Sequence, residues 1–270
     1  MLKTEERNPN SKNIDKLPSF EMIKIMQEEN YNAVRAIESQ LLNISKVIDK
    51  VSDKMACGGR LFYVGCGTSG RLGIVDASEA PPTYGVSNDT IIGIIAGGDG
   101  AIRTPVEKIE DNQELGILDL EKFNITALDS VIGISVAGGA KYVLGALEHA
   151  KSKNALTVAL TCNENSTIGN FADLSICTDT GAEVITGSTR MKAGSAHKMV
   201  LNMISTSIMI KLGHVYENLM INLKPANIKL KDRMIRIVSD ITGEDLIKSK
   251  ILLDENNWVI RKAVESFKKE

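Results

Sequence analysis

Arg60–Gly70 reads RLFYVGCGTSG. A short run of β-branched, aromatic and apolar residues ends in a glycine-rich turn, and helical spacing begins straight after it. That order predicts a strand, a tight turn and a helix, the building unit of α/β folds. The pattern repeats along the chain. Thr90–Ala96 (TIIGIIA), Ser130–Ser135 (SVIGIS), Ala155–Thr161 (ALTVALT) and Asp173–Cys177 (DLSIC) are similar runs. Each is largely apolar instead of alternating, as strands covered on both faces must be. Helical patterns over 69–77, 103–121, 140–152 and 189–212 fall between or after them. The expectation is a parallel sheet with helices on both sides. Right-handed crossovers then bring the strand ends, and the ligand site, to one edge.

The flanks read differently. Residues 1–18 are polar, contain Pro9 and Pro18, and suggest an extended arm. From Ser19 to Ala56 apolar residues recur at helical spacing, weakened near Tyr31 by Asn30 and Asn32. Two helices or one broken helix are expected, capped by Ser19 and ended by Gly58-Gly59. From about residue 229 short amphipathic segments suggest a small helical lobe with Trp258 in its core. The expected division is arm and helices over 1–57, the α/β domain over 58–228 and the lobe over 229–270.

Composition narrows the function classes. The 270 residues are 43% hydrophobic and 24% charged, with 32 Lys and Arg against 34 Asp and Glu, a net charge of −2. No basic excess favours nucleic acid, and no apolar stretch suits a membrane. The polar N-terminus lacks a secretory apolar core, so a cytoplasmic protein is expected. The four cysteines form no CxxC pair and the three histidines have no ligand-like spacing, so no metal is expected.

Four segments carry chemistry. Gly65-Cys66-Gly67-Thr68-Ser69-Gly70 has the form GxGxxG, yet a dinucleotide site needs an acid about 20 residues on. The first acid after the next strand is Asp99, more than 30 residues beyond Gly65, so no nicotinamide is expected. Two hydroxyls and free N–H groups at a helix start suit a phosphate monoester instead. A glycine turn that merely lets strand and helix meet is the plainer reading. At Cys66 a helix start can lower a thiol pKa, although a small loop filler is the simpler role. The second segment, Asp76–Thr83 (DASEAPPT), contains Pro81-Pro82, which should end the helix and leave Glu79 at a helix end or in a loop. The third, Glu107–Asn112 (EKIEDN), offers carboxylates that are individually more typical of a solvated face. The fourth, Thr186–Gly194 (TGSTRMKAG), places Ser188 and Thr189 before a helix with Arg190 and Lys192 in its first turn. Cations there oppose the helix dipole, and a bound anion would explain them. His197 follows on the same helix and reads as a structural histidine.

Gly65–Gly85 (GCGTSGRLGIVDASEAPPTYG), Ile94–Gly98 (IIAGG) and Glu183–Met209 together resemble the N-acetylmuramic acid 6-phosphate etherases. The N-terminal TEERNPNSKNID and Val215–Leu230 (VYENLMINLKPANIKL) are similar to that family too. The resemblance implies the sugar isomerase (SIS) fold, a three-layer αβα sandwich on a five-stranded parallel sheet, in a homodimer without a cofactor. It implies a carbon-oxygen lyase of cell-wall amino sugar recycling. By it, Glu79 is the proton donor and Glu110 the second active-site glutamate. It also suggests that Gly67, Thr68, Ser69, Gly70, Ser135, Gly138, Ser188, Thr189 and Lys192 hold the sugar phosphate.

The chain departs from that family at one place. Where the etherases usually read ASGRTPY, this chain has Val136-Ala137-Gly138-Gly139-Ala140-Lys141-Tyr142. Two expected hydroxyls are alanines, and Ser135 compensates in part. The thinned loop favours, as an alternative, a non-catalytic sugar-phosphate regulator similar to the glucokinase regulatory protein. A third reading is a sugar-phosphate isomerase with Glu183 as base. A DNA-binding regulator is disfavoured by the acidic balance.

Overall fold

A computed structural model describes residues 2–106, 108–225 and 227–268. Glu107, the first carboxylate of the EKIEDN segment, lies outside the described residues. The chain divides into two compact units, residues 1–77 with 89–205 and residues 78–88 with 206–270.

The first unit holds a five-stranded parallel sheet: β1 (Leu61–Gly65), β2 (Ile91–Ile95), β3 (Ser130–Ile134), β4 (Leu156–Thr161) and β5 (Leu174–Cys177). The order is β2-β1-β3-β4-β5, in register from Leu61 opposite Ile91 and Ser130. β1, β3 and β4 are buried along their whole length, as their unbroken apolar runs require. The chain leaves β1 towards β2 on one side and continues from β3 to β4 and β5 on the other. The ends of β1 and β3 therefore form a topological switch point, where α/β sheets open a crevice.

Arg60, just before β1, clamps Asp129, just before β3. Its Nε donates to Oδ1 at 3.1 Å and its Nη2 to Oδ2 at 2.8 Å. The backbone N–H groups of Arg60 and Thr126 also donate to this carboxylate. Burial alone would raise the Asp129 pKa, but these donors and the guanidinium charge outweigh it and hold it below the usual range. Breaking such a pair costs about 3–5 kcal/mol because the remaining charge is stranded.

Around the sheet lie α1 (Ser19–Glu38), α2 (Leu41–Ala56), α3 (Gly67–Tyr84), α4 (Gly100–Arg103), α5 (Gln113–Glu121), α6 (Lys141–Ser152), α7 (Thr167–Phe171) and α8 (Lys192–Lys211). α3 and α8 continue into the second unit. The break between α1 and α2 falls at Ser39-Gln40, not near Tyr31, because Ala33, Ala36 and Ile37 are buried and keep α1 packed past its asparagines. Ser19 is the first residue of α1 and makes no capping bond. Helix over 103–121 reduces to α4 and α5, with residues 104–106 and 108–112 irregular between them. Asn112 starts α5, its side chain accepting from Leu115 N at 3.0 Å.

The prolines correct a second expectation. α3 runs through Pro81 and Pro82 to Tyr84. They occupy its last turn, where the fixed proline φ still fits a helix. Tyr84 is buried, and its hydroxyl lies 3.2 Å from Thr206 Oγ1, which holds that turn in place.

The arm is not extended. It makes three single 3-10 turns at Lys3–Glu5, Pro9–Ser11 and Ile14–Lys16, with Thr4, Asn8 and Ser11 buried.

The second unit contains a two-stranded ribbon, β6 (Val215–Tyr216) and β7 (Leu219–Met220), and the helices α9 (Ile228–Thr242), α10 (Leu246–Glu255) and α11 (Ile260–Phe267). Met234, Ile237, Val238, Leu253, Ile260 and Ala263 form its core. Trp258 packs against that core, with Lys231 Nζ 5.0 Å from its ring centre.

Candidate functional site

A cavity of about 280 Å³ opens at the ends of β1 and β3. Cys66, Gly67, Thr68 and Ser69 line it from the β1–α3 turn, and Ser135, Val136, Ala137 and Ala140 from the loop after β3. Glu110 comes from the irregular segment before α5, Gly187 and Thr189 from the loop before α8, and Glu5 from the arm.

The first wall follows from the quoted sequence. Gly70 N bonds to Cys66 O, so Cys66 is the cap and Gly67, Thr68 and Ser69 form the first turn. Their N–H groups have no carbonyl four residues back in the helix, an arrangement that suits an anion. Gly70 makes this turn possible without touching the cavity. A Cβ there would stand 2.5 Å from Gly65 O and 2.6 Å from Ile95 Cγ1, so only glycine lets α3 start this close to the sheet.

The second wall is the loop after β3. Ser135 is buried, and its Oγ accepts from Gly138 N at 3.1 Å, which leaves the hydroxyl hydrogen free to donate. Gly138 has φ +75° and a Cβ there would lie 2.2 Å from Ser166 Cβ, so it shapes the loop and lies outside the lining. Ala140 caps α6 without any side-chain hydrogen bond.

Cys66 is no reactive thiol. Burial pushes its pKa up to about 12, and the neighbouring Glu110 charge adds to the effect.

The third wall holds Thr189, but Lys192 serves elsewhere. Lys192 is buried and pairs with Glu29 of α1, which supplies the negative partner that the cation at the helix start required. Glu29 also accepts from Asn10 Nδ2 at 2.8 Å. Glu183 is fully buried and takes the place of an anion at the α8 start, accepting from Ala193 N at 3.0 Å and Lys192 N at 3.4 Å. That use removes it as an isomerase base. Ser188 and Lys192 lie outside the cavity lining, and Ser188 N bonds to Ile185 O.

The structure thus gathers Glu110, Gly67, Thr68, Ser69, Ser135 and Thr189 in one cavity. Glu79 lies in the second unit, exposed on α3 and outside that lining. Glu5 also lines the cavity; it lies in the TEERNPNSKNID motif, but next to Glu6 in a polar arm nothing in the local pattern singles it out. Among the described residues, no group of three or more His, Cys, Asp or Glu side chains is arranged to hold a metal. None of the described helices is long and apolar enough to cross a membrane.

Residues 43–151 match the glucokinase regulatory protein N-terminal SIS domain, and residues 101–207 match the SIS domain. Among solved structures, a phosphoheptose isomerase from Francisella tularensis is similar with a TM-score of 0.52 and 17% identity, over 71% of this chain and 98% of that one. A phosphoheptose isomerase from Neisseria gonorrhoeae is similar with a TM-score of 0.51 and 15% identity, over 67% and 93%. These likenesses establish the SIS fold. An N-acetylmuramic acid 6-phosphate etherase of Caldanaerobacter subterraneus subsp. tengcongensis is 51% identical over 97% of this chain and 86% of its own length. One from Clostridium beijerinckii is 48% identical over 97% and 86%. With so much of both sequences shared, the chain belongs to the N-acetylmuramic acid 6-phosphate etherase family.

Proposed function

We propose that this chain cleaves the D-lactyl ether of N-acetylmuramic acid 6-phosphate, giving N-acetylglucosamine 6-phosphate and D-lactate. The observation that carries this reading is the identity of about half with etherases over nearly the whole chain. The cavity supports it, with anion-binding N–H groups and hydroxyls near a carboxylate.

The chemistry needs two carboxyl groups. In the open-chain sugar the C2 proton is acidified by the C1 aldehyde. A carboxylate removes it, a carboxylic acid protonates the ether oxygen, the C3–O bond breaks and lactate leaves. Water then adds at C3 of the unsaturated aldehyde, C2 regains a proton, and the acid and base exchange roles. We assign these roles to Glu79 and Glu110. Gly67, Thr68, Ser69, Ser135 and Thr189 hold the phosphate and sugar.

The same reading places the protein in the cytoplasm, acting on a small molecule without metal, nicotinamide or nucleic acid, and as a homodimer. α1 supports the dimer, since Phe20, Ile23, Tyr31 and Val34 lie exposed along one of its faces.

The test is lactate release from N-acetylmuramic acid 6-phosphate. Glu79→Gln and Glu110→Gln should each lower turnover by about a hundredfold or more while the circular dichroism stays unchanged. Binding of the sugar phosphate without lactate release by the unaltered protein would select the regulator instead.

A further inference from the structure

Polar chain termini fray unless something ties them down. The N-terminal arm of this protein is tied at several points. Thr4 is fully buried, and its Oγ1 accepts from Asn163 Nδ2 at 3.2 Å. Asn8 Nδ2 donates to Ala182 O at 3.0 Å, Ser11 Oγ to Val184 O at 2.7 Å, and Lys3 pairs with Asp179. These anchors fix the turn Lys3–Glu5, and Glu5 stands on the cavity wall beside Glu110 and the phosphate-binding turn. Its Oε2 lies 3.3 Å from the point where a Cβ would stand at Gly187, so the absence of a side chain there gives the carboxylate room. Among the described residues this carboxylate has no hydrogen bond or ion pair, while Thr4 next to it is fully enclosed.

A carboxylate can only accept hydrogen bonds, and its charge repels a phosphate dianion. Set with Glu110 among hydroxyls and helix-start N–H groups that suit an anion, Glu5 opposes phosphate and favours a ligand that brings hydroxyl donors. We propose that Glu5 is the sugar-recognition residue of this site, accepting hydrogen bonds from the hydroxyls of the open-chain sugar and rejecting phosphate that lacks a sugar. The inference rests on the sugar-phosphate reading of the cavity and adds how the site tells its substrate from free phosphate. Discrimination of this kind combines attraction for one ligand with repulsion of another.

The test compares the unaltered protein with Glu5→Ala and Glu5→Gln, each titrated calorimetrically with N-acetylglucosamine 6-phosphate and with inorganic phosphate at fixed ionic strength. Glu5 is solvent-exposed, so neither change should disturb folding. Glu5→Ala should weaken the sugar phosphate about tenfold or more, the scale of a lost charge-assisted hydrogen bond, and leave inorganic phosphate unchanged or tighter. Glu5→Gln, which keeps a carbonyl acceptor, should fall between. In turnover, KM should rise by a similar factor with kcat nearly constant. Equal effects on the two ligands, or none, would overturn the proposal. So would a hundredfold loss of kcat at constant KM, which would make Glu5 an acid-base group. If the unaltered protein binds sugar phosphate but releases no lactate, the etherase reading fails alone, and the two titrations still decide the role of Glu5. If it binds neither ligand, both ideas fall.

Discussion

His197 is fully enclosed, with Nε2 3.4 Å from Cys162 Sγ. Burial pulls its pKa down from 6.5 to about 4. The unfolded chain takes up a proton at this ring below about pH 6.5, and the folded protein does so only near pH 4. Stability is therefore present above pH 6.5 and falls as the pH drops through that window. His197→Gln should flatten the dependence of the urea midpoint on pH between 6.5 and 4, even though its midpoint at pH 8 is lower. His149 and His214, also lowered by burial, leave some slope. A variant with the full slope would clear His197 of responsibility. At this scale the sequence is a partial guide. Thr68 and Ser69 are legible because a local spacing places them at a helix start. The partner of Lys192 is not, because Glu29 lies 163 residues earlier and meets it only after α1 packs. Glu183 looks like a free base for the same reason, since the donors that occupy it are created by the start of α8.

At the scale of elements, strands are easier to read than helix ends. Burial on both faces leaves a continuous apolar signature, and RLFYVG, SVIGIS and ALTVALT are within a residue of β1, β3 and β4. Helix ends depend on contacts the local pattern does not contain. Pro81-Pro82 looks terminal by propensity, yet the buried Tyr84 carries α3 past them. The loop after β3 combines both lessons. Ala137 and Ala140 line the cavity at the two positions where the resemblance leads one to expect hydroxyls, and Ala140 is also the uncapped start of α6. Ala137→Ser with Ala140→Thr should lower KM for the sugar phosphate about tenfold with less change in kcat. The threonine should also cap α6, a gain of about 1 kcal/mol, raising Tm by about 2–4 °C. Steady-state kinetics and thermal melting read the two effects separately. A higher Tm with unaltered KM would keep the cap and remove this loop from phosphate binding.

For the whole molecule, the question is how an exposed Glu79 would take part in the proposed reaction. The cavity belongs to the first unit and contains Glu110, while Glu79 is in the second and outside the lining. An apolar face on α1, with Phe20 69% and Ile23 59% exposed, suits contact with a second copy. A chain of 270 residues can bury its own core, so size does not demand a dimer, and a shared site would give one a purpose. Light scattering at micromolar concentration should therefore report twice the chain mass. Coexpressed Glu79→Gln and Glu110→Gln chains should regain activity that neither has alone. If each site combines Glu110 of one copy with Glu79 of the other, a mixed dimer has one intact site and one doubly altered site. Random pairing makes half the dimers mixed, so about a quarter of the unaltered activity should return. If instead each copy uses its own two glutamates, every site carries one altered residue and no activity returns. A monomer in solution, or a coexpressed pair as inactive as its parents, would put Glu79 to work within its own chain.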